Sequence, residues 1–321
     1  MKVKVVYVLC CSGQDTYYEE FLLSYKSLEI HNPDINVEVV MDPDSYDYVL
    51  GKNERLLEGA TLLRVPIPAQ DKGGVWNSRF LKTNLRSIVK GDFLYIDTDT
   101  LIARPLSDID DFEADVAAVI NGNGQAGFVD RMDRNYVTLA GLNEFKGPYF
   151  NGGVFLSRDT EISHAFFKAW HSRWLRQVES GGPCFDQPAL FKTNLEAGKI
   201  IRELPGEWNV QTAWDESACI FSKACIIHYY ASEHLFAKRF IIPHIKNADG
   251  TLDDAAVALA ANPLKPGLMA YRSNSFKGAL LMPYSRLLYS LRKCPRLFLG
   301  VSDLAAAVAK IVFSHADNRN G

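Results

Sequence analysis

Two aspartates one residue apart, Asp97 and Asp99, follow the apolar run Phe93-Leu94-Tyr95-Ile96. A strand exit of this kind is where open α/β sheets place their ligands. If the chain stays extended, both carboxylates face one side about 6.6 Å apart. That suits a single hard cation whose shell is completed by water or phosphate oxygens. The competing reading is a strand-ending turn capped by aspartate, and the apolar Leu101-Ile102 beyond the pair favours the site. Upstream, Arg79 and Lys82 are three apart on one helix face, which suits a phosphate or a sugar hydroxyl; the alternative is a solvated face.

The elements that must position these groups alternate. Residues 3–10 read as a strand and 14–31 as a helix with apolar spacing at Phe21, Leu22, Tyr25 and Leu28, stopped by Asn32-Pro33. Strands follow at 37–41 and 61–65, then a helix at 76–89 with Asn77 or Ser78 as cap, then the strand 93–96. Further strands are expected at 116–120, 153–156 and 224–229, and helices at 163–178 and 186–195. This alternation predicts an α/β fold with a mostly parallel sheet covered by helices.

Five segments in order carry a resemblance. Gly91-Asp-Phe-Leu-Tyr-Ile-Asp97-Thr98-Asp99-Thr-Leu-Ile resembles the metal-binding segment of GT-A fold glycosyltransferases, especially those like glycosyltransferase family 8. Ser78-Arg-Phe-Leu-Lys-Thr83 resembles the helix before it. Phe150-Asn151-Gly152-Gly153-Val154 resembles the turn beside the donor sugar, and Asp186-Gln187-Pro-Ala-Leu190 an Asp-Gln helix start. His228 resembles a third metal ligand. The match spans about residues 3 to 235. It departs after His228, where Tyr-Tyr-Ala-Ser-Glu-His234-Leu-Phe-Ala-Lys238 replaces the family's Gly and Lys-Pro-Trp cluster; either His234 or Lys238 substitutes at the diphosphate, or the contact comes from elsewhere in the chain.

The resemblance implies a metal-dependent transfer of a hexose-type sugar from a nucleotide sugar, UDP-linked, to a glycan or lipid-linked acceptor, with retention of configuration. Asp97, Asp99 and His228 would hold Mn²⁺ (or Mg²⁺), the mixed oxygen and nitrogen set favouring Mn²⁺. Thr98, Arg79, Lys82, Asn151, Gly152 and His234 would meet the donor, and the first strand's exit, with Cys11 and Ser12, its nucleotide end. Asp186 would bind donor-sugar hydroxyls and Gln187 lie against the anomeric carbon. An amide is a poor nucleophile, so a front-face route fits better than double displacement. Asp186 as a simple N-cap is the bland alternative.

Two other patterns compete. Gly122-Asn-Gly124-Gln-Ala-Gly127 matches the G-x-G-x-x-G of NAD(P)-dependent oxidoreductases, but Phe128-Val-Asp-Arg-Met-Asp-Arg is a poor inner helix. Cys219, Cys225 and His228 suggest zinc, yet Cys225 and His228 are three apart on a strand and so point to opposite faces. A non-catalytic nucleotide-sugar-binding module is the third reading.

Composition bounds these readings. The 321 residues are 47% hydrophobic with net charge −3, which argues against a nucleic-acid binder acting through global positive charge. Six cysteines at this length are no disulfide scaffold, so a reducing cytoplasm is expected. No apolar run reaches the roughly 18 residues of a membrane span, and the run 5–11, at the short limit for a signal peptide and with no small-x-small site after it, reads better as a first core strand. Between Asp254 and Asp303 there are seven basic residues and no acidic one, which sets a catalytic domain, 1–250, apart from a basic helical extension, 251–321. Tyr284, Leu287, Leu288 and Leu291 keep helical spacing beside Arg286, Arg292 and Lys293, the pattern of an interfacial helix. Residues 265–296 are thus expected to hold the protein peripherally on the anionic inner face of a membrane, and a second short helix is expected over 302–313.

Overall fold

A computed structural model describes residues 1–13, 15–52, 57–68, 72–123, 148–230, 245–247, 251–264 and 284–291, together with positions 300, 301, 304 and 307. The chain opens with strand β1 (Lys4–Leu9), helix α1 (Tyr17–His31), β2 (Val37–Met41), α2 (Pro43–Gly51) and β3 (Ala60–Arg64). Helices α3 (Gly74–Thr83) and α4 (Leu85–Ile88) lead to β4 (Phe93–Ile96), β5 (Thr100–Ile102) and β6 (Val116–Ile120). Then come β7 (Phe150–Ser157), α5 (Glu161–Glu179), α6 (Gln187–Glu196), β8 (Arg202–Glu203), β9 (Val210–Gln211), β10 (Ile226–His228), α7 (Asp254–Ala261) and α8 (Ser285–Leu291).

Seven strands form one sheet in the order β3-β2-β1-β4-β7-β6-β8. The β1, β2, β3 and β4 pairings are parallel, as the alternation predicts, and so is β6 with β8. β7 reverses and runs antiparallel to both neighbours, which makes the sheet mixed. Its eight residues are all buried, so one strand forms part of the core and the floor of the site. A second, three-stranded sheet, β5-β10-β9, stands beside the exit of β4.

Apolar side chains fill three clusters. Val5, Tyr7 and Leu9 meet Phe21, Tyr25 and Leu28 of α1 on one face of the large sheet. On the other, Phe93, Tyr95 and Phe155 pack under Leu81 of α3 and Phe167, Trp170 and Trp174 of α5. The third surrounds the small sheet and takes in Leu259 of α7 and Leu288 of α8.

Local departures from the expected elements have physical causes. The helix expected over 76–89 begins at Gly74, behind Gly73, whose φ of 87° favours glycine, and it breaks at Asn84. Neither Asn77 nor Ser78 is its cap; Asn77 is buried and donates to Asp42 Oδ2 at 2.7 Å. Asn151, Gly152 and Gly153 lie inside β7 rather than in a turn before a strand. Among the described residues no helix is long and apolar enough to cross a membrane.

Of the stripe expected to meet a membrane, Leu288 is buried, while Tyr284 and Leu287 are 64% and 61% exposed. α8 docks through Ser285 Oγ, which accepts from the Ser222 N–H, and Tyr289 Oη, which donates to Glu207 Oε1 at 3.1 Å. The rest of 265–296 and most of 302–313 lie outside the described residues.

Candidate functional site

β4 delivers Asp97 and Asp99 to the carboxyl edge of the large sheet. The chain between β4 and β5 is a bend at Thr98 and Asp99, not extended as expected. A line of hydroxyls holds it: Thr100 Oγ1 donates to the Asp97 carbonyl at 2.9 Å and contacts Ser24 Oγ at 2.7 Å, and Ser24 contacts Tyr7 Oη at 3.1 Å. The Asp97 N–H donates to the Gly153 carbonyl of β7 at 2.8 Å.

β10 brings His228 to the same place. His228 pairs with Thr100 across the small sheet, and the Tyr229 N–H donates to the Asp99 carbonyl at 3.0 Å. One ligand atom each from Asp97, Asp99 and His228 lie within 4.8 Å of one another, and among the described residues this is the convergent set of three metal-ligating side chains. Cys219 and Cys225 are not in it. His228 Nε2 is buried and makes no hydrogen bond, standing 3.2 Å from Asp99 Oδ1 and 3.7 Å from Asp97 Oδ2. Two carboxylates and one bare ring nitrogen, the nitrogen standing from the oxygens at about one and a half times the roughly 2.0–2.6 Å of cation–oxygen bonds, as neighbouring ligands of one ion do, fit a divalent ion.

Glycine at 153 is a steric requirement here. A Cβ there would overlap His228 Cε1 and stand 2.8 Å from Asp97 Oδ2. At Gly152 a Cβ would stand 2.8 Å from Asp186 Oδ2 and 3.6 Å from Lys82 Nζ. The two glycines therefore let the β7 backbone approach side chains of the chain itself.

Asp186 is at the N-cap position of α6 but makes no side-chain cap bond. Its buried carboxylate instead faces Arg79 Nε at 3.3 Å and Lys82 Nζ at 3.5 Å. Lys82 also reaches Asp97 Oδ1 at 3.1 Å, so it is buried between two carboxylates rather than solvated. Burial works against the Arg79 charge, but Asp186 and Asp97 keep it above its ordinary value. Gln187 Nε2 donates to Asn121 Oδ1 at 3.2 Å and to the Phe150 carbonyl at 3.4 Å.

A cleft with about 100 Å³ of solvent-sized space opens beside these groups. Cys10, Tyr17, Val75, Ser78, Arg79 and the Asp97-Thr98-Asp99 bend line it. Cys11 and Ser12 are turned to neighbours: the Cys11 N–H donates to Ser45 Oγ at 2.8 Å, and Ser12 Oγ to Asp15 Oδ2 at 2.8 Å. Burial first, then Asp15, pushes the Cys11 thiol up to about 12. His234, Lys238, Gly124 and Gly127 lie outside the described residues.

The sequence reading misses Tyr95, Asn121 and Asn209. Tyr95 donates to Asp97 Oδ1, and burial with that carboxylate raises its hydroxyl well above its ordinary value. Strand alternation puts residues 95 and 97 on one face, a signal available in the sequence. Asn121 and Asn209 carry no comparable local signal.

The galactosyltransferase LgtC, solved with donor and acceptor sugar analogues, superposes with TM-score 0.52 at 17% identity, covering 80% of this chain and 95% of that one. The fold is GT-A. The bifunctional glycosyltransferase WbbM gives TM-score 0.52 at 15% identity over 90% of this chain, which spans 51% of WbbM. An active-site mutant of LgtC gives 0.51 at 17% identity, over 81% and 95% of the two chains. At such identity the likeness is one of GT-A fold. No family profile matches the chain, and no curated protein matches it by sequence.

Proposed function

We propose that the chain is a metal-dependent glycosyltransferase that moves a hexose-type sugar from a UDP-sugar to a glycan or lipid-linked acceptor with retention. The convergence of Asp97, Asp99 and His228, with both aspartates lining the cleft, carries this reading. These three would hold Mn²⁺ (or Mg²⁺), which would act as a Lewis acid on the departing diphosphate. Arg79, Lys82 and Asp186 form a charged cluster suited to donor-sugar hydroxyls and phosphate. Gln187 presents an amide beside it, which supports a front-face route over a covalent one. LgtC, a galactosyltransferase of this fold, lends weight to sugar transfer. The basic segment 265–296 would bring the enzyme to an anionic membrane surface on the cytoplasmic side, where a lipid-linked acceptor resides.

The test is release of nucleoside diphosphate from a panel of sugar nucleotides with acceptor extracts. Release that needs Mn²⁺ or Mg²⁺, and is lost in EDTA and in Asp99→Ala, is expected. Turnover by Asp99→Ala in EDTA at the wild-type rate would overturn the metal reading, and no turnover with any sugar nucleotide would overturn the activity.

A further inference from the structure

The two ends of the site are joined by a buried chain of amides, and the direction of every bond in it follows from two main-chain groups. The Gly153 N–H, which can only donate, points to Asn151 Oδ1 at 2.8 Å. That fixes the Asn151 amide: its oxygen faces Gly153 and its Nδ2 donates to Asn121 Oδ1 at 3.0 Å. Asn151 Oδ1 also lies 2.9 Å from the Asn209 side chain. Only an NH₂ satisfies an oxygen there, so Asn209 turns its Nδ2 to Asn151 and its Oδ1 to His228 Nδ1, 3.1 Å away. An amide oxygen can only accept, so Nδ1 of His228 carries the proton. At the far end, the Phe150 carbonyl and Asn121 Oδ1 both accept from Gln187 Nε2.

We infer that Asn209 is a positioning residue: through Asn151 it locks His228 as the Nδ1–H tautomer and so leaves Nε2 to face Asp97 and Asp99 as a ligand. Asn209 is fully buried and Asn151 nearly so, which leaves water no part in choosing these orientations. The other tautomer would set two lone pairs against each other at Asn209 and put the ring proton where a cation must bind. Imidazole ligands are commonly oriented this way by an acceptor on the second nitrogen, and loss of that acceptor costs about 10- to 100-fold in metal affinity. The inference rests on the metal-site reading above.

Two measurements separate it from that reading. Long-range ¹H–¹⁵N correlation spectra of the metal-free wild-type protein at alkaline pH report which nitrogen of His228 is protonated. Protonation at Nδ1 is expected, and at Nε2 it overturns the inference whether or not metal binds. Mn²⁺ titration followed by EPR then compares wild type, Asn209→Leu and Asn209→Asp. Asn209→Leu, close in volume but unable to accept, is expected to weaken Mn²⁺ binding about 10- to 100-fold and to let the tautomers mix. Asn209→Asp keeps the acceptor at His228 Nδ1 while losing the donor to Asn151 Oδ1, and should retain the Nδ1–H spectrum; if Asn209→Leu fails to fold, this variant and the wild-type spectrum decide. Wild-type Mn²⁺ affinity in a folded Asn209→Leu protein overturns the inference. If wild type itself binds no Mn²⁺, the metal reading fails, and the spectra still rule on Asn209.

Discussion

Lys82 Nζ lies 3.1 Å from Asp97 Oδ1, with its ammonium fully buried. The same ammonium stands 3.5 Å from Asp186 Oδ2, so one cation compensates a carboxylate on each side of the site. Removing one partner of a buried ion pair leaves uncompensated charge at about 3–5 kcal/mol. Lys82→Met should therefore lower the urea unfolding free energy by roughly 3 kcal/mol or more. An unchanged midpoint and slope would mean that the two carboxylates do not rely on this ammonium.

Gly152 and Gly153 should fail differently. Gly153→Ala places its Cβ on His228 and should weaken Mn²⁺ binding while donor binding without metal persists. Gly152→Ala presses on Asp186 beside Lys82 and should raise the donor KM with Mn²⁺ affinity near wild type. Isothermal titration of metal and of a sugar nucleotide distinguishes the two, and identical profiles would contradict the assigned contacts.

Arg79 and Gln187 should also separate. Arg79 faces Asp186 in the charged cluster, so Arg79→Ala should raise the donor KM more than it lowers kcat. Gln187→Ala should lower kcat with little change in KM. NMR of the product anomer checks the route, since an inverted product excludes the front-face reaction.

Asp110 ties down the N-terminus and should make it acid-labile. Burial raises its carboxyl, but hydrogen bonds from the Val3 and Lys2 N–H groups, at 2.9 and 2.7 Å, outweigh this and hold it below the ordinary value. A carboxylate depressed in the folded state adds stability above its unfolded value and loses it as pH falls through the folded one. Protection of the β1 amides against hydrogen exchange should drop over that acid interval in wild type but not in Asp110→Asn.

Membrane binding should depend on the outward face of α8. Arg286 and Leu287 are exposed there, as is Tyr284 just before the helix, whereas Leu288 is a core residue. Leu287→Glu should reduce salt-sensitive co-sedimentation with phosphatidylglycerol vesicles at unchanged thermal stability, while Leu288→Glu should destabilise the fold. Equal sedimentation of wild type and Leu287→Glu would remove α8 from the contact.

The parts legible in the sequence are those whose signal is local. β1, β4 and β6 are buried on both faces and read as plain apolar runs. The Asp97–Asp99 pair is legible because two carboxylates end such a run. α7 is not, because Asp-Ala-Ala-Val-Ala-Leu-Ala-Ala has almost no polar residue to mark a period. The start of α3 rests on the positive φ of Gly73 instead of a capping side chain. Asn209 acts through a histidine nineteen positions on, and the register that joins them exists only once β9 and β10 pair.

The candidate metal ligands straddle two sheets that are far apart along the chain, with the aspartates at the end of β4 and the histidine on β10. Contacts between such distant segments close late, since the loop entropy must be met before they form. During synthesis the large sheet's parallel half can assemble while β10 is still inside the ribosome. A growing chain therefore displays its acidic pair well before the candidate third ligand on β10 can join it.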